Sequence, residues 1–168
     1  MNPVYQPSLH FLAQAFWELE FAFRGLADEH VWKRPAPPLL SVGEIAGHMA
    51  YWEAVRLAGE GEDLTKCRIA SPLVDARFRY YPRTLANPPA EHHLVMTADA
   101  VYRELIRVHE AAFAHFEALN PDPDTKIVGC PARFTYAKYL EYAVFHTAYH
   151  TGQIYSVRHL LGEGTEDN

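Results

Sequence analysis

Apolar residues recur at alternating steps of three and four in four segments, which run from Leu9 to Leu26, Ser41 to Gly59, Thr97 to Leu119 and Thr135 to Gly162. This spacing places them along one face of an α-helix, and helices with such faces pack at shallow angles into bundles. No alternating strand pattern is longer than a few residues. The sequence therefore predicts an all-α fold, a four-helix bundle.

Local signals mark the ends of these helices. Ser41 and Glu44 form an S-x-x-E capping box at the start of the second segment, and such a box satisfies backbone amides that have no partner inside the helix. Asn120 and Pro121 end the third segment, because proline cannot continue a helix. Gly162 ends the fourth.

The segment between the second and third helices, about residues 60–93, has a different composition. It contains several prolines and an aromatic and basic stretch, RFRYYPR, at residues 77–83. A connection of this length in a compact domain is usually functional or disordered, and a long crossover is one way to join distant corners of a bundle. Its aromatic residues favour an ordered lid.

Composition and charge limit the possible partners. The chain has 168 residues, 49% of them hydrophobic, and a formal charge of −6, which fits a single domain over residues 1–168. It has no block of lysine and arginine, so we expect no nucleic-acid partner. Glu18 and Glu20 interrupt its most apolar stretch, and the N-terminus lacks the basic flank of a signal peptide. We therefore expect no membrane association and a cytoplasmic location.

Three histidines lie on predicted apolar helix faces: His48 in the second helix, and His146 and His150 in the last. Residues four apart share a helix face, so His146 and His150 can reach one metal ion, and His48 can supply a third ligand. A chain with 10 histidines produces such a spacing by chance often enough that the pattern alone decides little. Hydrogen bonding to Tyr139, Tyr142 or the backbone is an equally good interpretation.

Two runs resemble the DinB-like family. The run LADEHVWKRPAPPLLSVGEIAGHMAYWE, residues 26–53, has a short turn, an Arg-Pro pair and a serine-capped helix with a histidine near its middle. The run HTAYHTGQIYSVRHLLG, residues 146–162, is similar to the closing helix of that family, H-x-x-x-H-x-G-Q followed by an apolar heptad. Residues 60–95 match poorly.

The resemblance implies an up-down-down-up bundle with the long crossover between its second and third helices, and frequent homodimers. It also implies a divalent metal bound by three histidines, which carry over onto His48, His146 and His150. Imidazole ligands suit several transition metals, so we expect zinc, nickel or iron. Many relatives have a basic residue after the last ligand, where this chain has Thr151. A contact to an acidic substrate at that position is therefore in doubt.

We expect the protein to bind a small-molecule substrate near the histidines. The predicted substrate-binding residues are Trp52 beside His48, Gln153 one turn after His150, and three residues of the crossover, Arg79, Tyr81 and Arg83. Each has a simpler interpretation: core filling for Trp52, polar packing for Gln153 and solvated loop residues for the rest.

Known activities in the family are largely thiol-dependent, so the resemblance implies a metal-dependent transferase that uses a low-molecular-weight thiol. Metal-dependent hydrolysis and non-enzymatic binding of a metal or small molecule, as in a stress protein, remain alternatives. No catalytic residue is assigned, because no carboxylate stands out as a general base near the ligands. Glu44 already serves the capping box.

Overall fold

The computed structural model describes residues 1–61, 63–79, 88–131 and 134–166. Four long helices dominate these ranges: α1 (Gln6–Phe23), α3 (Val42–Leu57), α5 (Ala98–Leu119) and α6 (Tyr136–Leu160). Two single-turn helices, α2 (Asp28–Val31) and α4 (Glu91–Leu94), and three short 3₁₀ turns complete the regular structure. No β-strand is present in the described ranges, where Lys126 and Thr135 form an isolated bridge. The all-α prediction is confirmed.

The helix ends follow from local chemistry. The Ser41 side chain accepts a hydrogen bond from the backbone N–H of Glu44, and the Glu44 carboxylate accepts one from the backbone N–H of Ser41. Thr97 and Thr135 cap α5 and α6 in a similar way. Asn120 takes up a left-handed conformation with φ of 40° after α5, which asparagine tolerates better than most residues. These ends agree with the predicted segments.

The long helices share one apolar core. Helix α1 packs mainly against α6, and α3 packs against both α5 and α6. Buried residues from all four contribute to a continuous cluster, which places α3 next to α6, where the candidate histidines lie. The up-down-down-up order and the single domain over residues 1–168 remain predictions.

Near two helix ends, residues that the apolar pattern places on the buried face are exposed instead. Leu119 and Leu160 are 50% and 64% exposed. Phe116 is buried in α5 instead, and Arg158 in α6 is only 1% exposed. A buried arginine is rare and needs partners. Arg158 donates to the carbonyl oxygens of Ala22 and Arg24 and to the Glu163 carboxylate.

The described part of the crossover is anchored to the bundle. Phe78 is buried in a small cluster with Tyr51 and Val55 of α3. His93, adjacent to the exposed His92, is fully buried. Its Nδ1 accepts from the backbone N–H of Ala90 at 2.9 Å, and its Nε2 lies 2.8 Å from the carbonyl oxygen of Pro72. Of this adjacent pair, His92 therefore faces solvent and His93 anchors the crossover.

None of the helices in the described ranges has the length and hydropathy needed to cross a bilayer.

Candidate metal centre

His48 on α3 meets His146 and His150 on α6. One nitrogen from each ring lies within 4.8 Å of the other two, and the Nε2 atoms of His146 and His150 are 3.1 Å apart. The centroid of the His48 ring is 5.3 Å from that of His146 and 4.9 Å from that of His150. The three rings therefore converge closely enough to share one metal ion.

Hydrogen bonds orient two of these rings from behind. The Nδ1–H of His48 donates to the backbone carbonyl of Phe78 at 2.9 Å. The Nδ1–H of His150 donates to Oε1 of Gln153 at 2.7 Å. Because carbonyl oxygens only accept, each Nδ1 carries the proton and each Nε2 keeps its lone pair for a ligand. Metal-binding histidines are usually oriented by such partners.

Burial keeps the three imidazoles neutral. His48 and His150 are 8% and 2% exposed. Burial, followed by the neighbouring histidines, lowers the pKa of His146 to about 2, and mainly burial lowers the pKa of His150 to about 4. Burial also lowers the pKa of His48, against the effect of its hydrogen bond to Phe78. Neutral imidazole is the form that binds metal.

The two tyrosines that were the alternative hydrogen-bond partners of the histidines make other contacts. The hydroxyl group of Tyr139 donates to the backbone carbonyl of Trp52 at 3.5 Å. The Tyr142 ring lies against His146, with 5.5 Å between their centroids. These contacts give little support to the interpretation in which tyrosine hydroxyls satisfy the histidines. The donor set fits a divalent transition metal instead.

A cavity of about 280 Å³ adjoins the histidines. His48 and His146 line it, together with four aromatic side chains and two arginines; these are Trp52, Phe134, Tyr139, Tyr142, Arg56 and Arg79. Among its described lining residues there is no aspartate or glutamate. The cavity can therefore hold a small molecule between aromatic walls, close to both the histidines and positive charge.

The predicted substrate-binding residues have different outcomes. Trp52 and Arg79 line the cavity. Gln153 lies behind His150 through the hydrogen bond to its Nδ1, so its geometry suits an orienting role, and contact with substrate remains a prediction. Tyr81 and Arg83 lie outside the described residues.

Arg56 also lines the cavity, although it was not among the predicted site residues. It lies on α3 eight residues after His48 and four after Trp52, a spacing that keeps all three on one helix face. That spacing was the available signal. Thr151 on α6, where many relatives have a basic residue, is buried, and its hydroxyl donates to the backbone carbonyl of Thr147.

A second group of possible ligands consists of Asp75, His92 and His93. Both ring nitrogens of His93 already serve the backbone of the crossover. Asp75 accepts from the backbone and the guanidinium of Arg77. This group therefore anchors the crossover, whereas the three histidines of the first group converge beside a cavity.

Comparison with protein-family models finds a match to the DinB superfamily over residues 12–154. The matched range includes all three converging histidines and most of the chain. Comparison with curated proteins and with solved structures gives no match. The match agrees with the motifs around His48 and His146, and the chain belongs to the DinB superfamily.

Proposed function

We propose that the protein is a metal-dependent transferase that uses a low-molecular-weight thiol, with zinc, nickel or iron bound by His48, His146 and His150. The observation that carries the proposal is the convergence of three neutral imidazoles beside a cavity. Three protein ligands leave room at a divalent ion for a small molecule. Such an ion lowers the pKa of a thiol that it coordinates, which supplies a nucleophile at neutral pH.

The lining of the cavity favours a thiol over water as the nucleophile. Activation of water usually uses a general base, often a carboxylate, to accept the proton. The described lining residues include no carboxylate, whereas a thiol is already acidic enough to lose its proton without such a base. Trp52 and the tyrosines would hold the apolar part of the substrate and exclude water.

Metal content of point variants is the first test. His48→Ala, His146→Ala and His150→Ala should each lose most of the metal found in protein purified without an affinity tag. His92→Ala and His159→Ala are the controls, because both side chains are exposed on other parts of the surface. Unchanged metal content in all three ligand variants would end the proposal.

Activity is the second test. The metal-loaded protein should accelerate conjugation of a generic electrophile with one of four thiols: bacillithiol, mycothiol, glutathione or free cysteine. Loss of the rate in His146→Ala would tie it to the metal. A metal-dependent esterase or amidase rate without thiol transfer would point to a hydrolase, and no rate in either assay would favour a binding protein.

A thiol-dependent activity requires a reducing compartment. Both cysteines, Cys67 and Cys130, are free and half-buried. We therefore propose a cytoplasmic location, where low-molecular-weight thiols are abundant and protein thiols stay reduced. Fractionation of cells that express the native protein would test this.

A further inference from the structure

Arg56 places a positive charge in the wall of the cavity without a carboxylate partner. Its guanidinium carbon lies 4.5 Å from the centroid of the Trp52 ring, and its NH1 group contacts the Sγ atom of Cys130. Among the residues that the structure describes, no aspartate or glutamate pairs with it. By contrast, Arg34, Arg107 and Arg158 each form an ion pair.

The surroundings of Arg56 suit an anion. Stacking on Trp52 holds the guanidinium plane in one place, and one contact to Cys130 uses few of its five N–H donors. Arg79 lines the same cavity, so two positive side chains face a space with no described acidic side chain in its wall. Guanidinium groups bind carboxylates and phosphates through paired, charge-assisted hydrogen bonds.

The position of Arg56 on α3 sets its distance from the candidate metal centre. Eight residues separate it from His48, which corresponds to about 12 Å along the helix axis. Both side chains lean towards the N-terminus of the helix, so this axial separation holds roughly for the side chains as well. Trp52 lies between the two residues and provides an apolar wall along the gap.

We propose that the cavity selects small molecules with a metal-binding group at one end and a carboxylate or phosphate at the other, and that Arg56 binds this anionic end. The apolar middle of such a ligand lies along Trp52. The selection of a bifunctional ligand rests on the proposed metal centre, whereas the anion subsite at Arg56 has its own structural basis.

Two thiols that differ in charge at the far end test the complete proposal. In cobalt-substituted protein, thiolate-to-cobalt charge-transfer absorption reports binding of ω-mercaptooctanoate and of its neutral counterpart, ω-mercaptooctanol. The acid should bind about tenfold more tightly, the gain typical of a charge-assisted hydrogen bond. In Arg56→Gln this preference should disappear while the affinity for the alcohol stays unchanged, and Arg56→Lys should keep part of it.

Arg103→Gln is the matched control, because this side chain is 74% exposed and does not line the cavity. It should leave the preference intact. A preference that survives in Arg56→Gln, or that is lost only in Arg79→Gln, would overturn the assignment to Arg56.

An experiment without the metal centre separates the anion subsite from the proposed metal-thiol function. In the His146→Ala/His150→Ala variant, phenyl phosphate should still bind more tightly than benzyl alcohol in a calorimetric titration, and Arg56→Gln should remove the difference. If the His146→Ala/His150→Ala variant bound phenyl phosphate no more tightly than benzyl alcohol, the anion subsite would be rejected. If the variant kept this preference for phenyl phosphate but the cobalt protein showed no thiolate band with either thiol, the metal-thiol function would be rejected and the subsite retained.

Discussion

The Nδ1 atom of His48 donates a hydrogen bond to the backbone carbonyl of Phe78 across 2.9 Å, which joins the candidate metal centre to the crossover 30 residues away. Gly47 makes this contact possible. A Cβ atom at position 47 would lie 2.5 Å from Cδ2 of Phe78, which is far inside van der Waals contact. The orientation of His48 therefore depends on the neighbouring residue having no side chain.

Gly47→Ala should destabilise the protein and weaken metal binding together. The added methyl group pushes the Phe78 ring away, and the carbonyl that holds His48 moves with it. Overpacking of this kind typically costs about 1–3 kcal/mol of unfolding free energy. Urea unfolding and a competitive metal titration would measure the two effects.

Gly152→Ala is the control for this substitution. A Cβ atom at Gly152 has no neighbour within 4 Å among the described atoms, and alanine favours the helix by about 0.5–1 kcal/mol. Stability should stay the same or rise, with unchanged metal affinity. Equal behaviour of the two alanine variants would contradict the role given to Gly47.

The metal-free protein should lose stability as the pH falls below about 6.5. The folded-state pKa values of His146 and His150, about 2 and about 4, lie below the ordinary value of 6.5. The unfolded chain therefore binds protons first, and the stability present above pH 6.5 is lost as the pH falls towards the folded-state values. Each histidine contributes up to about 1.4 kcal/mol per pH unit.

Urea unfolding at about pH 7.5 and about pH 5 would measure this dependence. The His146→Gln/His150→Gln variant should show a shallower loss over the same interval, because it lacks both groups while keeping the carboxylates that also titrate. Parallel curves for the two proteins would mean that these imidazoles are not held neutral by the fold.

The helices could be predicted because their signals are local. The capping box at Ser41 and the stop at Asn120 act within one turn of helix, so sequence neighbours are sufficient to identify them. Arg158 could not be predicted in this way. Its partners include the carbonyl oxygen of Ala22, 136 residues earlier in the chain, and helical periodicity carries no information about such a contact.

The candidate site could likewise be predicted only where its signals are local or shared with the family. His146 and His150 share a helix face, so their proximity was visible in the sequence, and the family resemblance added His48. The role of Arg56 depends on its stacking over Trp52 and its contact with Cys130, 74 residues away. No local pattern predicts that an arginine will face a cavity without an acidic partner.

His109→Ala should destabilise the protein without removing its metal. The Nδ1–H of His109 on α5 lies 3.0 Å and 3.1 Å from the two carboxylate oxygens of Glu53 on α3. Glu53 is 7% exposed, and the His109 ring stacks on Phe16 with 3.7 Å between centroids. Loss of the imidazole leaves a buried carboxylate without this donor, at a cost of about 1–3 kcal/mol.

Thermal or urea unfolding of His109→Ala and of the exposed-residue control His92→Ala would give the difference, and elemental analysis would give the metal content. His92→Ala should change stability by less than about 0.5 kcal/mol. Metal loss in His109→Ala with little change in stability would indicate instead that α5 helps to form the metal centre.

We propose, last, that the protein is a homodimer through the outer face of α1 and α6. These two helices pack against each other, and large aromatic side chains on them are exposed to solvent. Trp17 and Phe145 are each 61% exposed, and Tyr149, which stacks on Phe145, is 51% exposed. Exposed apolar patches of this kind are typical of protein interfaces.

Light scattering at micromolar concentration should therefore give twice the chain mass of 19.1 kDa. The Trp17→Glu/Phe145→Glu variant should be monomeric, because two carboxylates would be buried without partners in the interface. Val95→Glu changes an 80% exposed side chain in the turn before α5 and should remain dimeric. A monomeric mass for the unmodified protein would reject the dimer, and a dimeric mass for the double variant would place the interface elsewhere.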